Sequence, residues 1–274
     1  NYVFEEQLEN LQFGDRFYYL FRNQGMQLFS ALEGNSFSGL IQRNTDASLV
    51  PAEIFRVQDP SIDLENLPDP LPAGLVQVNG QWRWDGDEHI EIHGNRTQAD
   101  RIRGGQGDDA LWGYGGNDRI EGGSGNDSIL GGLGDDILTD SFGDDNIKGG
   151  WGNDYIDAGY GLDLVLSGHG HDFVVMGHDG PKDAFLGTGD DIAIGGTGRD
   201  NIRGGEGEDW IEGGNHADLL MGDNADQFQQ DTWGAADVLI AGGGSDDYDA
   251  EGGDDIMVGQ LGGTDRFHGM NGLD

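Results

Sequence analysis

The chain has 274 residues and a formal charge of −38, with 52 acidic against 14 basic residues and no cysteine. Disulfides and zinc–thiolate sites are excluded, and so is a nucleic-acid or anionic-membrane partner, since both are held by basic surfaces. Without a run of 18 apolar residues, no transmembrane helix is expected.

Glycine divides the chain. Only six of 52 glycines lie in residues 1–85, which marks a domain boundary in composition alone. Acidic chains poor in aromatics stay disordered. Here aromatics make up 9% and the apolar residues are periodic, so a folded chain needs its charge neutralised by bound cations. Oxygen ligands at this density suit Ca²⁺.

Residues 1–55 are expected to be helical. Glu5, Glu6 and Glu9 lie beside Leu8 and Leu11 in an amphipathic pattern. Asp15 can cap a short helix carrying Phe17, Tyr18, Leu20 and Phe21. Asn35 or Ser36 can cap another, with Phe37, Leu40 and Ile41. The stretch FEEQLENLQFGDRFYYL, followed by FSGLIQRNTD, resembles the C-terminal end of the catalytic domain of animal-type haem peroxidases. Gly14 to Phe17 match that family's GDRF[WY]-like box, and Leu40, Ile41, Asn44 and Thr45 match the helix after it. The resemblance implies a haem enzyme whose distal His and Arg and proximal His precede these boxes. Residues 1–85 contain no His, so haem and any catalytic residue are expected upstream, outside this chain. The opening at Asn1 and the closing GMNGLD, partway through a repeat, are expected to mark a segment of a longer protein.

Residues 56–81 are expected to be a Pro-rich linker, stiffened by Pro60, Pro68, Pro70 and Pro72. Residues 82–94 alternate Trp82/Trp84 and Ile90/Ile92 at period two and predict strands that cap a solenoid. Packing in the core is the expected use of both tryptophans.

From Gly104 the chain reads GGQGDDALW, GYGGNDRIE, GGSGNDSIL, GGLGDDILT, DSFGDDNIK: nine residues per block, with Gly at position 4, Asp at position 6 and an apolar residue at position 8. The register runs unbroken from Asn95 to Val175. It places Asp100, Asp109, Asp118, Asp127, Asp136, Asp145, Asp154, Asp163 and Asp172 at position 6, and Ile102, Leu111, Ile120, Ile129, Leu138, Ile147, Ile156, Val165 and Val174 at position 8. After an interruption at 177–182, marked by Pro181, Asp183 and Phe185 are expected to resume the pattern, followed by Asp191, Asp200, Asp209 and Asp218. A second interruption spans 222–231; Asp237, Asp246 and Asp255 come next and, after a one-residue slip, Asp265. Both interruptions are expected to be outward loops.

The glycines of GGxGxD allow positive φ and close backbone approach, while the last three residues make a short strand with the apolar side chain inward. Two turns and two strands close a coil of 18 residues. Carboxylates 18 apart therefore stack: Asp109, Asp127, Asp145 and Asp163 on one side, Asp118, Asp136, Asp154 and Asp172 on the other. Asp108, Asn117, Asn126 and Asp135, at position 5, are expected to face solvent or support the ligands. His169 and His171 fall on turn positions and are expected to be exposed spacers. The loops neither open helices nor carry the lysine of a phosphate cradle.

The pattern GGxGxDxUx, held in one register, is similar to the calcium-binding repeat of the RTX family. The resemblance implies a mainly β fold: a right-handed parallel β-roll over 95–274 behind the small α-helical N-terminal segment. It implies many Ca²⁺ ions between successive turns, held by turn carbonyls and by the column of aspartates from Asp100 to Asp265, Asp183 among them. It also implies export by type I secretion machinery and an extracellular or cell-surface location. Without metal the facing carboxylates repel, so an unfolded metal-free and a folded calcium-bound state are expected. A structural or adhesive cell-surface module, or the tail of another secreted hydrolase, accommodates the same residues.

Overall fold

A computed structural model describes residues 61–86, 89–223, 234–259 and 263–271, all within the compact unit 60–274. The helices expected over residues 1–55 lie outside the described residues.

Each nine-residue block folds in the same way, and the architecture arises by repetition. Four strands lead in: β1 (Ser61–Asp63), β2 (Leu75–Val78), β3 (Gln81–Trp84) and β4 (Glu91–His93). From β5 (Arg101–Gln106) and β6 (Ala110–Gly115) to β21 (Ile256–Val258) and β22 (Arg266–Asn271), successive strands alternate between two 11-stranded sheets. Each strand pairs in parallel with the strand two ahead, as in Ile129↔Ile147 and Ile147↔Val165. The result is a parallel β-solenoid with 18 residues per coil. Among the described residues no helix is long and apolar enough to cross a membrane.

The core lies between the two sheets and is one side chain deep per strand. Ile102, Leu111, Ile120, Leu138, Ile147, Ile156, Val165 and Val174 are fully buried. β-branched and leucine side chains suit this place because a strand buried on its inner face packs them against the pleat. Outside, position 7 of one sheet lines up Ile137, Tyr155, Phe173, Ile192, Trp210, Val238 and Ile256. Tyr155 and Phe173 stack there, with centroids 5.8 Å apart.

Two strands fall inside the stretch expected as a linker. β1 pairs with β4, and β2 forms an antiparallel hairpin with β3. Asn79 and Gly80, both at positive φ (53° and 78°), make the turn, as an Asn-Gly hairpin requires. Pro68, Pro70 and Pro72 lie in the chain between β1 and β2, where no ladder needs their missing N–H. Trp84 is buried in the core and Trp82 packs partly buried against it, so the first coil is closed by aromatic surface.

The interruptions also resolve. Leu164 pairs with Asp183 and Phe173 with Ile192, an offset of 19 in place of 18, so the first interruption adds a single residue. Trp210 pairs with Val238 and Leu219 with Asp247, an offset of 28. The surplus is ten residues, and the flanking register puts it between Asp223 and Gly234 instead of at 222–231.

Candidate metal centres

Many of the described turns are shaped by glycines set against the backbone of the coil before. Gly134 at position 4 has φ +122°, and a Cβ there would meet the carbonyl of Gly116 in the coil before. The turns thus stack backbone on backbone, which brings the Asp at position 6 beneath the same residue of the coil before it.

That stacking divides each carboxylate. The N–H of Asp100 donates to Oδ1 of Asp118 (2.7 Å), and Asp118 donates in turn to Asp136 (2.7 Å) and Asp136 to Asp154 (2.8 Å). On the opposite side Asp109 donates to Asp127 (2.8 Å) and Asp127 to Asp145 (2.7 Å). The column that begins at Asp100 passes through both interruptions: Asp172 donates to Asp191 (2.7 Å) and Asp209 to Asp237 (2.8 Å). Oδ1 is therefore consumed by the ladder. Oδ2 is buried and has no hydrogen-bond partner in Asp109, Asp118, Asp136, Asp154, Asp209 and Asp237, among others. A Cβ on Gly113 would fall against both Asp118 Oδ2 and the Gly131 carbonyl; one on Gly131 would fall against Asp136 Oδ2 and the Gly149 carbonyl. Carboxylate and carbonyl oxygens thus converge on a space that exists because position 1 is glycine.

An unpaired buried carboxylate oxygen is expensive. Burial above all pushes Asp109 and Asp209 up to about 8, and Asp136, Asp154, Asp191, Asp218 and Asp237 up to about 7. Neighbouring carboxylates raise Asp136 and Asp218 further. The remedy is a proton or a cation. An all-oxygen donor set of carboxylates and carbonyls, without nitrogen or sulfur, fits Ca²⁺.

Of the 18 predicted positions, 16 are buried in the two columns: Asp100, Asp109, Asp118, Asp127, Asp136, Asp145, Asp154, Asp163, Asp172, Asp191, Asp200, Asp209, Asp218, Asp237, Asp246 and Asp255. Asp265, half-buried, continues one of them by accepting from the Asp246 N–H (3.2 Å). Asp183 does not join. It is exposed, because the surplus residue shifts Lys182 into its place and Ala184, not Phe185, into step with the core. Lys182 is buried, its N–H donates to Asp200 Oδ1 (3.1 Å), and its Nζ lies 3.7 Å from Asp163 Oδ2 and also donates to Asp179. At this one turn the chain supplies its own cation.

Position 5 supports the turns with a counter-running ladder. The N–H of Asn126 donates to Asp108 Oδ1 (2.8 Å), Asp144 to Asn126 (2.8 Å) and Asn153 to Asp135 (2.9 Å). His171 joins it, its N–H donating to Asn153 and its Nδ1 accepting from the Asp190 N–H (2.8 Å).

One residue escaped the repeat reading. Asp140 occupies position 1, where DSFGDD replaces GGxGxD, and that break in pattern is the signal that identifies it. It is buried, and its Oδ1 accepts from the Gly123 N–H (2.8 Å). Oxygens of Asp127, Asp140 and Asp145 lie within 4.8 Å of one another. Burial, and then the charge of Asp140, push Asp127 and Asp145 well above the usual carboxylate range.

A family model described as the RTX calcium-binding nonapeptide repeat (4 copies) matches residues 97–129, 130–165, 185–220 and 234–257. These are RTX calcium-binding repeats. The gaps between the matched RTX segments fall on the single surplus residue and on the ten-residue insertion. No curated protein and no solved structure matches the chain.

Proposed function

We propose that residues 60–274 are a calcium-dependent folding module of a secreted protein. The observation that carries this reading is the divided carboxylate: Oδ1 held by the ladder, Oδ2 buried without a partner beside a turn carbonyl. The column aspartates with those carbonyls would hold the ions. Calcium supplies the positive charge that lets buried carboxylates face one another, and about a dozen ions would offset most of the formal −38. The core, one side chain deep, has little with which to offset chain entropy of about 1–2 kcal/mol per residue. Metal-binding energy then serves as folding energy. Sites that fill only at extracellular calcium leave the chain unfolded inside the cell and folded outside, which suits passage through a narrow export channel.

Far-ultraviolet circular dichroism with and without a chelator tests this. Above about pH 8 the strand signal is expected only with calcium, with Mg²⁺ a poor substitute; an unchanged signal in chelator refutes it. The stretch before the roll is a separate proposal. Gly14–Phe17 and Leu40–Thr45 carry the reading of a haem peroxidase-like enzyme, on motif alone, and a Soret band in the full-length parent tests it.

A further inference from the structure

We infer that Asp140 makes the space between Asp127 and Asp145 the tightest calcium site of the roll, the one that fills first. This rests on the reading that the roll binds calcium and goes beyond the repeat, which places no acid at position 1.

At the other described turns position 1 is not acidic. It is glycine at Gly113, Gly131 and Gly149, and a small or apolar buried residue at Ala158, Ser167 and Met176. Where glycine stands there, the next coil contributes a backbone carbonyl, as Gly131 does beneath Gly113. Beneath Gly122 the contribution changes. A Cβ on Gly122 would meet the Asp140 carboxylate and Asp127 Oδ2. A full negative charge has taken the place of a dipole.

The side chain is aimed, not merely nearby. The Gly123 N–H holds Asp140 Oδ1 at 2.8 Å, and Asp140 Oδ2 is buried without a hydrogen-bond partner. Asp127 Oδ2 is likewise buried and unpartnered, and the Asp145 carboxylate completes a group within 4.8 Å. Three carboxylates in so small a volume cannot remain ionised together without a cation. Ligand charge count is what tunes calcium affinity among oxygen sites. This space holds three acids where its neighbours in the columns hold two.

Equilibrium dialysis of the 274-residue chain against calcium, from sub-micromolar to millimolar free ion, tests the inference. The unaltered chain should take up one ion at a free concentration at least about tenfold below that needed by the rest. Asp140→Gly restores the repeat's own residue and should merge that ion with the others. Asp140→Asn keeps an oxygen for the Gly123 N–H and should do the same, which separates charge from shape. Coincident isotherms, or tighter binding by either variant, overturn the inference while leaving the roll a calcium binder. No uptake by any of the three chains overturns the functional reading and this inference with it.

Discussion

Asp136 serves two partners at once, its Oδ1 taking the Asp118 N–H while its Oδ2 faces the turn. The side chain of its neighbour Asp135 accepts one exposed bond, from the Asn153 N–H. Asp136→Ala should therefore cost about 1–3 kcal/mol for the orphaned buried N–H alone and weaken calcium binding, whereas Asp135→Ala should cost about 0.5–1 kcal/mol. Thermal melts in saturating calcium distinguish the two, and equal losses would refute the assignment. Titration gives a second check. Burial raises Asp118 and Asp200 from the ordinary 3.8 to about 6, and Asp109 and Asp209 to about 8. A group raised on folding stabilises the fold below its unfolded value and loses that contribution as pH rises through its folded value. In calcium-free buffer the strand signal should thus be strongest near pH 4 and fall between about pH 6 and 8. Far-ultraviolet circular dichroism across that range measures it, and a signal that grows with pH would contradict the sign.

At the scale of the element, the coil tolerates additions that leave its register intact. Asp209 reaches Asp237 and Asp218 reaches Asp246 across an offset of 28, at 2.8 and 2.9 Å. Deleting residues 224–233 joins Asp223 to Gly234 and yields GDGAADVLI, a nine-residue unit with Asp237 at position 6. The shortened chain should melt within a few degrees of the original in calcium, because the closure cost of a connection grows only slowly with its length; a collapse of the transition would show that the insertion braces the roll. Period and core were legible in the sequence because the same residue types return every nine places. The lead-in strands β1 and β2 were not, since the prolines beside them dominate a reading by composition. Lys182 was hidden for a different reason: Asp183 has the right chemistry one place too late, and only pairing across coils shows which residue lies under Asp163. Asp140 stood in the pattern as an error in it. The outer column from Ile137 to Ile256 also lay open at position 7, but its residues become neighbours only once the coil closes.

For the molecule as a whole, each coil touches only the one before and the one after, as solenoids do. The carboxylate ladder adds a direction to that sequence of contacts. From Asp100 to Asp154 and from Asp172 to Asp246 the column N–H groups donate to the next coil along the chain: Asp191 donates to Asp209, Asp209 to Asp237, Asp237 to Asp255. The two ends of the roll are consequently unlike, as the two ends of a filament are. Opening it behind a coil strands the N–H groups of the columns, whereas opening it in front strands the N–H groups of the position-5 ladder and frees the column Oδ1 lone pairs. A coil added at the N-terminal end brings its column donors to acceptors already in place, so the roll has a face ready to grow and a face that waits to be closed.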